Sequence, residues 1–247
     1  MKNINLVSFL IVVALLSLTT GCTTLKSTDD ITRQKSADPL KGFNRTVYGF
    51  NKTADRYVLK PVAQGYNYIV PKPAQNSVGN FFDNLAEPLN IVNNALQGKG
   101  YRALDSVYRF VINSTVGILG LFDVASYYNI EPAKEDLGQT FAAWGIAPGP
   151  YIMLPFLGPT NLRDGIGRLG EVVTYYPNSI ITDSDGAALA LTVLDVVDNR
   201  VGLFPIDDVL ESQLDKYSFI KNAYETDRIN KIYDGTPPEI SEEDFDF

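Results

Sequence analysis

A mainly α-helical fold is predicted for this 247-residue chain, on three observations. Apolar residues recur at spacings of three and four through most of the sequence, the period of one helix face. Strand signals, short runs alternating apolar and polar residues, are few. An uncharged 26-residue segment, 137–162, is cut by four Gly and four Pro. A proline inside a helix loses a hydrogen bond and clashes with the preceding turn, so this segment reads as a central Gly/Pro-rich hairpin. Its arms are expected at 138–145 and 150–157, joined by a turn at 146–149. A buried core loop is the competing reading.

The first element is an address. Lys2 precedes a 13-residue apolar run, 6–18, interrupted only by Ser8 and Ser17. That is the length of a signal peptide and too short to cross a bilayer. Thr19-Thr20-Gly21-Cys22 follows, a small residue before the chain's only cysteine, which reads as a lipoprotein cleavage box with Cys22 as the lipidated residue. The box has Thr19 where Leu is usual. The expected organisation is a signal peptide at 1–21, a lipidated tether at 22–37, a helical domain at 38–234 and an acidic disordered tail at 235–247. Thr23 after the cysteine, where inner-membrane retention favours Asp, points by analogy to the outer membrane.

The body then runs as a string of amphipathic helices. In 38–70 an Asp38-Pro39 start leads into Phe43, Val47, Phe50, Ala54 and Val58 on one face, and Pro61 ends or kinks the helix. Residues 73–85 and 88–96 read as two shorter helices, each opened by a proline. Residues 101–115 form the cleanest helix, with Tyr101, Leu104, Tyr108 and Val111 as its apolar face. Arg102, Asp105 and Arg109 form a charged stripe in which Asp105 and Arg109 can pair. An ordinary surface helix over a core explains those charges. Residues 117–128 are nearly uncharged, and 131–136 restore charge.

A helix resumes over 163–176. It contains Gly165, Gly167 and Gly170 in the spacing of a dinucleotide loop, but close helix packing explains them better, because Gly158-Pro159 and Arg163-Asp164 stand where a strand is required. A helix capped by Ser184 or Asp185 covers 184–201. A long one covers 206–233, with Leu210, Leu214, Tyr217, Ile220 and Tyr224 on one face.

Composition excludes several functions. The net charge is −8, which opposes nucleic acid and any basic-patch attraction to anionic lipid. There is no histidine, so Ser-His-Asp and Cys-His catalysis and imidazole metal sites are out. One cysteine permits no internal disulfide. Hydrolysis would rest on paired carboxylates such as Glu131, Glu135 and Asp136, on a connection that reads more simply as solvated surface. Neither an enzyme nor a cofactor is expected.

Several motifs together resemble the MlaA (VacJ) family of outer-membrane lipoproteins over 38–235. They are Asp38-Pro39 with Gly42-Phe43-Asn44-Arg45, Asn84 with Glu87-Pro88 and Asn90, Arg109-Phe110 with Asn113, and 120–125. The most specific are Gly138-Gln139-Thr140, Trp144-Gly145, Gly149-Pro150-Tyr151, Leu154-Pro155, Gly158-Pro159 and Arg163-Asp164; Ala223-Tyr224 and 233–235 close the set. Lys41, Leu137, Lys216 and Thr226-Asp227 depart from the family's usual residues.

The resemblance implies a ring-like bundle of helices in the periplasmic leaflet around an amphipathic channel. It implies removal of misplaced phospholipid from the outer leaflet, together with a porin trimer, and delivery to a soluble periplasmic carrier. Residues 137–162 then become a candidate wall or gate of the lipid path. Trp144, Gly145, Gly149, Pro150, Tyr151, Leu154 and Pro155 are its candidate residues, and 145–149 its hinge. The competing function is an outer-membrane scaffold lipoprotein that binds a porin or peptidoglycan without moving lipid.

Overall fold

The computed structural model describes residues 34–174 and 184–238. Cys22, the expected signal peptide, most of the expected tether and residues 239–247 of the expected acidic tail lie outside the described residues. Helix α1 (Lys41–Ala54) continues through a π-helical segment (Asp55–Leu59) into α2 (Lys60–Ile69). Pro61 therefore does not end the helix. The wider turn before it, where Lys60 N–H donates to the Asp55 carbonyl, makes room for the proline ring.

Val70-Pro71 breaks the chain, and α3 (Lys72–Leu96) follows as one 25-residue helix with Pro88 inside it. The two short helices expected there are thus one. Packing along the whole of α4 (Gly100–Thr115) outweighs the roughly 3 kcal/mol that an internal proline costs. A 3₁₀ turn, Ala125–Tyr128, leads to the central stretch.

That stretch folds differently from the expected hairpin. Asp136 caps α5 (Leu137–Ala143), its side chain accepting from Gln139 N at 2.8 Å. Gly145, at φ +82°, ends the helix. The hairpin forms one arm later, between antiparallel β1 (Tyr151–Leu154) and β2 (Gly158–Asn161), in the register Tyr151↔Asn161 to Leu154↔Gly158. Its turn is 155–157, with Phe156 at φ +63°, not 146–149. Pro148 and Pro150 have no N–H to give a ladder there, whereas the small residues of 138–143 suit a capped helix.

Helices α6 (Leu162–Thr174), α7 (Asp185–Gly202), α8 (Phe204–Ser212) and α9 (Lys216–Ile232) complete the chain. Ser184 occupies the N-cap position of α7. The single long helix expected at 206–233 is two, because Asp215 caps α9 by accepting from Ser218 N at 3.2 Å.

The elements close a circuit. α2 packs on α7, α7 on α3, α3 on α5, α5 on α9, α9 on β2, and β1 returns to α1. The result is a ring-like, mainly helical bundle. The last residues of the expected tether belong to it: Gln34 and Ser36 are buried, and Ala37 O accepts from Tyr151 N at 2.7 Å.

The ring is inverted relative to a water-soluble protein. The buried face of α3 is Gln75, Asn84, Glu87, Asn90, Asn93 and Asn94, and that of α4 is Ser106, Arg109 and Asn113. The apolar face expected for α4 points outward instead, with Tyr101 88% exposed. On α1, Phe43 and Phe50 are exposed while Asn44 and Val47 are buried. Arg109 is no surface charge. It bonds Glu87 at 3.1 Å and both Asp123 oxygens at 3.0 Å, so the Asp105–Arg109 pair does not form. Among the described residues no helix is long and apolar enough to cross a membrane.

Candidate functional site

A cavity of about 1110 Å³ opens between α1–α2, the hairpin, α7, α8 and α9. One part of its wall is apolar: Val58, Val62, Val193, Val196, Ile220, and Met153 and Phe156 from the hairpin. The other part is charged. Lys52, Arg56, Lys60 and Arg200 face Asp55, Asp207, Glu211 and Asp227.

These charges interleave. Arg200 Nε donates to Asp55 at 2.7 Å and its Nη2 to Asp207 at 2.9 Å. Lys60 Nζ lies 2.7 Å from Asp207, and Lys52 lies 3.8 Å from Glu211. Burial alone would push the Asp207 carboxyl up, but Lys60 and Arg200 hold it below the usual value. The bonds to Asp55 raise the Arg200 guanidinium further, so both stay ionised at neutral pH. Arg200 is nine-tenths buried, yet its Nη1 has no hydrogen-bond partner.

The hairpin that supplies one wall is held by two asparagines of α1. Asn44 Nδ2 donates to Tyr151 O at 3.0 Å and its Oδ1 accepts from Met153 N at 2.9 Å. One heptad on, Asn51 Nδ2 donates to Leu154 O at 2.9 Å and its Oδ1 accepts from Phe156 N at 2.8 Å. Phe50 meets the Phe156 ring edge-on at 5.0 Å. Two Gly-Phe-Asn triplets seven residues apart, 42–44 and 49–51, carry this arrangement. That repeat was the available sequence signal, and periodicity of apolar residues alone passes over it.

None of the seven path residues named from sequence lines the cavity. Trp144 Nε1 donates to Leu96 O at 3.1 Å, tying α5 to the end of α3. Gly145 and Gly149 both have positive φ, as a turn requires, and a Cβ on Gly149 would sit 3.2 Å from Leu162. Pro150 O accepts from Leu162 N. Tyr151 is fully buried among Val47, Met153 and Tyr217. Leu154 and Pro155 belong to the hairpin and its turn. The stretch is thus part core and part surface, and its contribution to the wall is Met153, Phe156, Gly158 and Pro159.

Of the carboxylates considered for hydrolysis, Glu131 is exposed, and Glu135 and Asp136 are partnered. Glu135 bonds Lys99 and Gln97, and burial pushes its carboxyl up. Asp136 bonds Arg228; burial alone would raise it, but that partner keeps it below the usual value. Gly165, Gly167 and Gly170 lie inside α6. A strand does precede them, but it is one arm of an antiparallel hairpin, and a Cβ on Gly167 would come within 2.6 Å of Gly138 N. Gly167 and Gly170 are packing glycines at the α5–α6 crossing, and Gly165 faces Thr160 of β2. Among the described residues no group of acidic residues is placed to hold a metal.

An apolar exterior, a polar interior and an amphipathic cavity define a class: a helical ring suited to apolar surroundings around a path for molecules with both polar and apolar parts. Within that class the chain belongs to the MlaA lipoprotein family, whose model matches residues 36–231. It is 35% identical over 213 residues to the Escherichia coli (strain K12) "Intermembrane phospholipid transport system lipoprotein MlaA", covering 84% of this chain and 82% of that one. A Rickettsia prowazekii protein is 38% identical over 189 residues, covering 75% and 74%. A structure described as "Structural basis for maintenance of bacterial outer membrane lipid asymmetry" superposes with a TM-score of 0.71 at 34% identity, covering 79% of this chain and 99% of that one.

Proposed function

We propose that this protein is an outer-membrane lipoprotein, anchored through Cys22 on the periplasmic side, that moves phospholipids from the outer leaflet through its cavity to a soluble periplasmic carrier. The observation that carries this reading is the amphipathic cavity inside an apolar-faced ring. A lipid's acyl chains in water cost about 0.8 kcal/mol per CH₂, so transfer needs a continuous apolar wall. Its headgroup needs polar groups on the same route, and the Lys60–Asp207–Arg200–Asp55 network supplies them. No covalent step is needed. The relatives' name and the fold shared with the solved structure support the same reading. A porin trimer is the proposed neighbour in the membrane, lying against the exposed apolar faces.

The test is a strain lacking the protein, complemented by variants. The wild-type gene is expected to lower outer-leaflet phospholipid. Val196→Trp, which fills the cavity from a half-exposed wall position, is expected to be membrane-bound and inactive. Cys22→Ala is expected to leave the protein soluble in the periplasm. Normal lipid clearance by Val196→Trp would sink the channel and leave the scaffold reading in its place.

A further inference from the structure

We infer that the cavity selects phospholipids whose headgroup carries an ammonium group beside its phosphate, over those whose headgroup is a net anion. The inference rests on the lipid-path reading above and names the substrate class of that same cavity. Three observations carry it.

The first is charge balance. The chain as a whole has a net charge of −8, but the cavity wall has four cations and four carboxylates. The second is their order. The two signs alternate across the wall through the pairs Lys52–Glu211, Lys60–Asp207 and Arg200–Asp55, so no single-sign field extends through it. A headgroup bearing both charges within a few ångströms finds a partner for each along such a wall. A headgroup with phosphate alone meets carboxylates that it cannot neutralise, inside a protein that is already acidic.

The third is unspent hydrogen-bonding capacity. Arg56 lies on the π-helical segment and, among the described residues, pairs with no carboxylate; its guanidinium rests 5.7 Å over the Tyr57 ring. Arg200 Nη1 is without a partner on a side chain that exposes only 9% of its surface. These are donors suited to phosphate oxygens. On the opposite sign, Asp227 pairs with Lys231, a residue outside the cavity, and remains half-exposed as an acceptor for an ammonium. A π-helical turn often marks a functional position in a helix, and here it carries both Asp55 and Arg56.

The experiment uses the full-length lipidated protein in detergent. It is exchanged against vesicles of equimolar phosphatidylethanolamine and phosphatidylglycerol and re-isolated, and its phospholipid is measured by mass spectrometry. Lipid lost in the Val196→Trp protein defines the cavity-bound fraction. That fraction is expected to hold phosphatidylethanolamine over phosphatidylglycerol by about threefold or more, the effect of about one unit charge across a partly screened site. Asp227→Asn removes one negative charge from the wall, leaving it one unit more positive, and is expected to move the ratio toward phosphatidylglycerol. Arg56→Gln removes one positive charge and is expected to move the ratio away from it. Both positions are exposed, so the fold is retained. A cavity-bound fraction that mirrors the vesicles, unchanged in both variants, overturns the selectivity and leaves the lipid path standing. A protein that carries no cavity-bound phospholipid from any vesicle overturns the lipid path, and the selectivity with it.

Discussion

Asn44 is completely buried, and its amide takes the place of a neighbouring strand along β1. Truncation to Ala would strand the Tyr151 carbonyl and the Met153 N–H in the core, where each unsatisfied group costs about 1–3 kcal/mol. Asn44→Ala is therefore expected to lose about 2–4 kcal/mol and roughly 5–15 °C of melting temperature, read by thermal unfolding in detergent. Asn51 makes the same two kinds of bond nearer the exposed tip, where water can replace it, so Asn51→Ala should cost about 1 kcal/mol or less. Equal losses at the two sites would contradict the burial argument.

Arg109 poses the converse case, a buried charge between Glu87 and Asp123. Arg109→Leu leaves the buried Glu87 uncompensated and should cost about 3–5 kcal/mol. Adding Glu87→Leu should recover a large part of that loss, since Asp123 is more exposed and can be solvated. A double variant no more stable than the single one would show that Glu87 is not the burdened partner.

At the scale of elements, glycines separate positions that look alike in sequence. Gly49 and Gly167 both sit inside helices. A Cβ on Gly49 meets nothing within 4 Å, whereas one on Gly167 would lie 2.6 Å from the backbone nitrogen of Gly138 in α5. Gly49→Ala should stabilise by about 0.5–1 kcal/mol through helix propensity. Gly167→Ala should destabilise by about 1–3 kcal/mol, because two helix backbones must part. Urea or thermal melts that gave both changes the same sign would disprove the close α5–α6 crossing.

Sequence could locate these helices but not all their joints. The period of apolar residues placed α4 within a residue of its true start. It missed the split between α8 and α9, because Asp215 acts as a cap only through its bond to Ser218. It divided α3 at Pro88, because propensity carries no knowledge of the partner helix that holds α3 straight through. The hairpin was expected one arm too early for a related reason. Gly and Pro mark where a chain can turn, but the two asparagines that fix which turn is used lie about a hundred residues upstream.

At the scale of the whole molecule, the same periodicity that revealed amphipathic helices said nothing about which face is inside. The Asn, Gln and charged residues of α3 and α4 are the core of this ring, and Tyr101, Leu104, Tyr108 and Val111 are its exterior. The cavity was equally illegible, since its charged wall is assembled from residues near 55, 200 and 207 that no local motif connects.

A polar core gives the fold an acid response that can be predicted in sign. Burial alone would raise Asp136 and Asp164, but Arg228, and for Asp164 also Arg163, hold both below 3.8. A depressed folded-state pKa means stability that is complete above 3.8 and is lost as pH falls through the folded value. Glu135 and Glu171 go the other way: burial raises them above 4.5 in spite of their partners. For them stability is fullest below 4.5 and is lost as pH rises through the raised folded value, because the native state must then hold a buried charge. The two sets overlap only in mild acid. The melting temperature of the detergent-solubilised protein should therefore be highest in mild acid, falling as pH rises toward 7 and collapsing as pH drops below 3.8. A steady fall from pH 7 downward would mean that the buried glutamates are ionised at no cost, and that the polar interior is wetter than its hydrogen bonds imply.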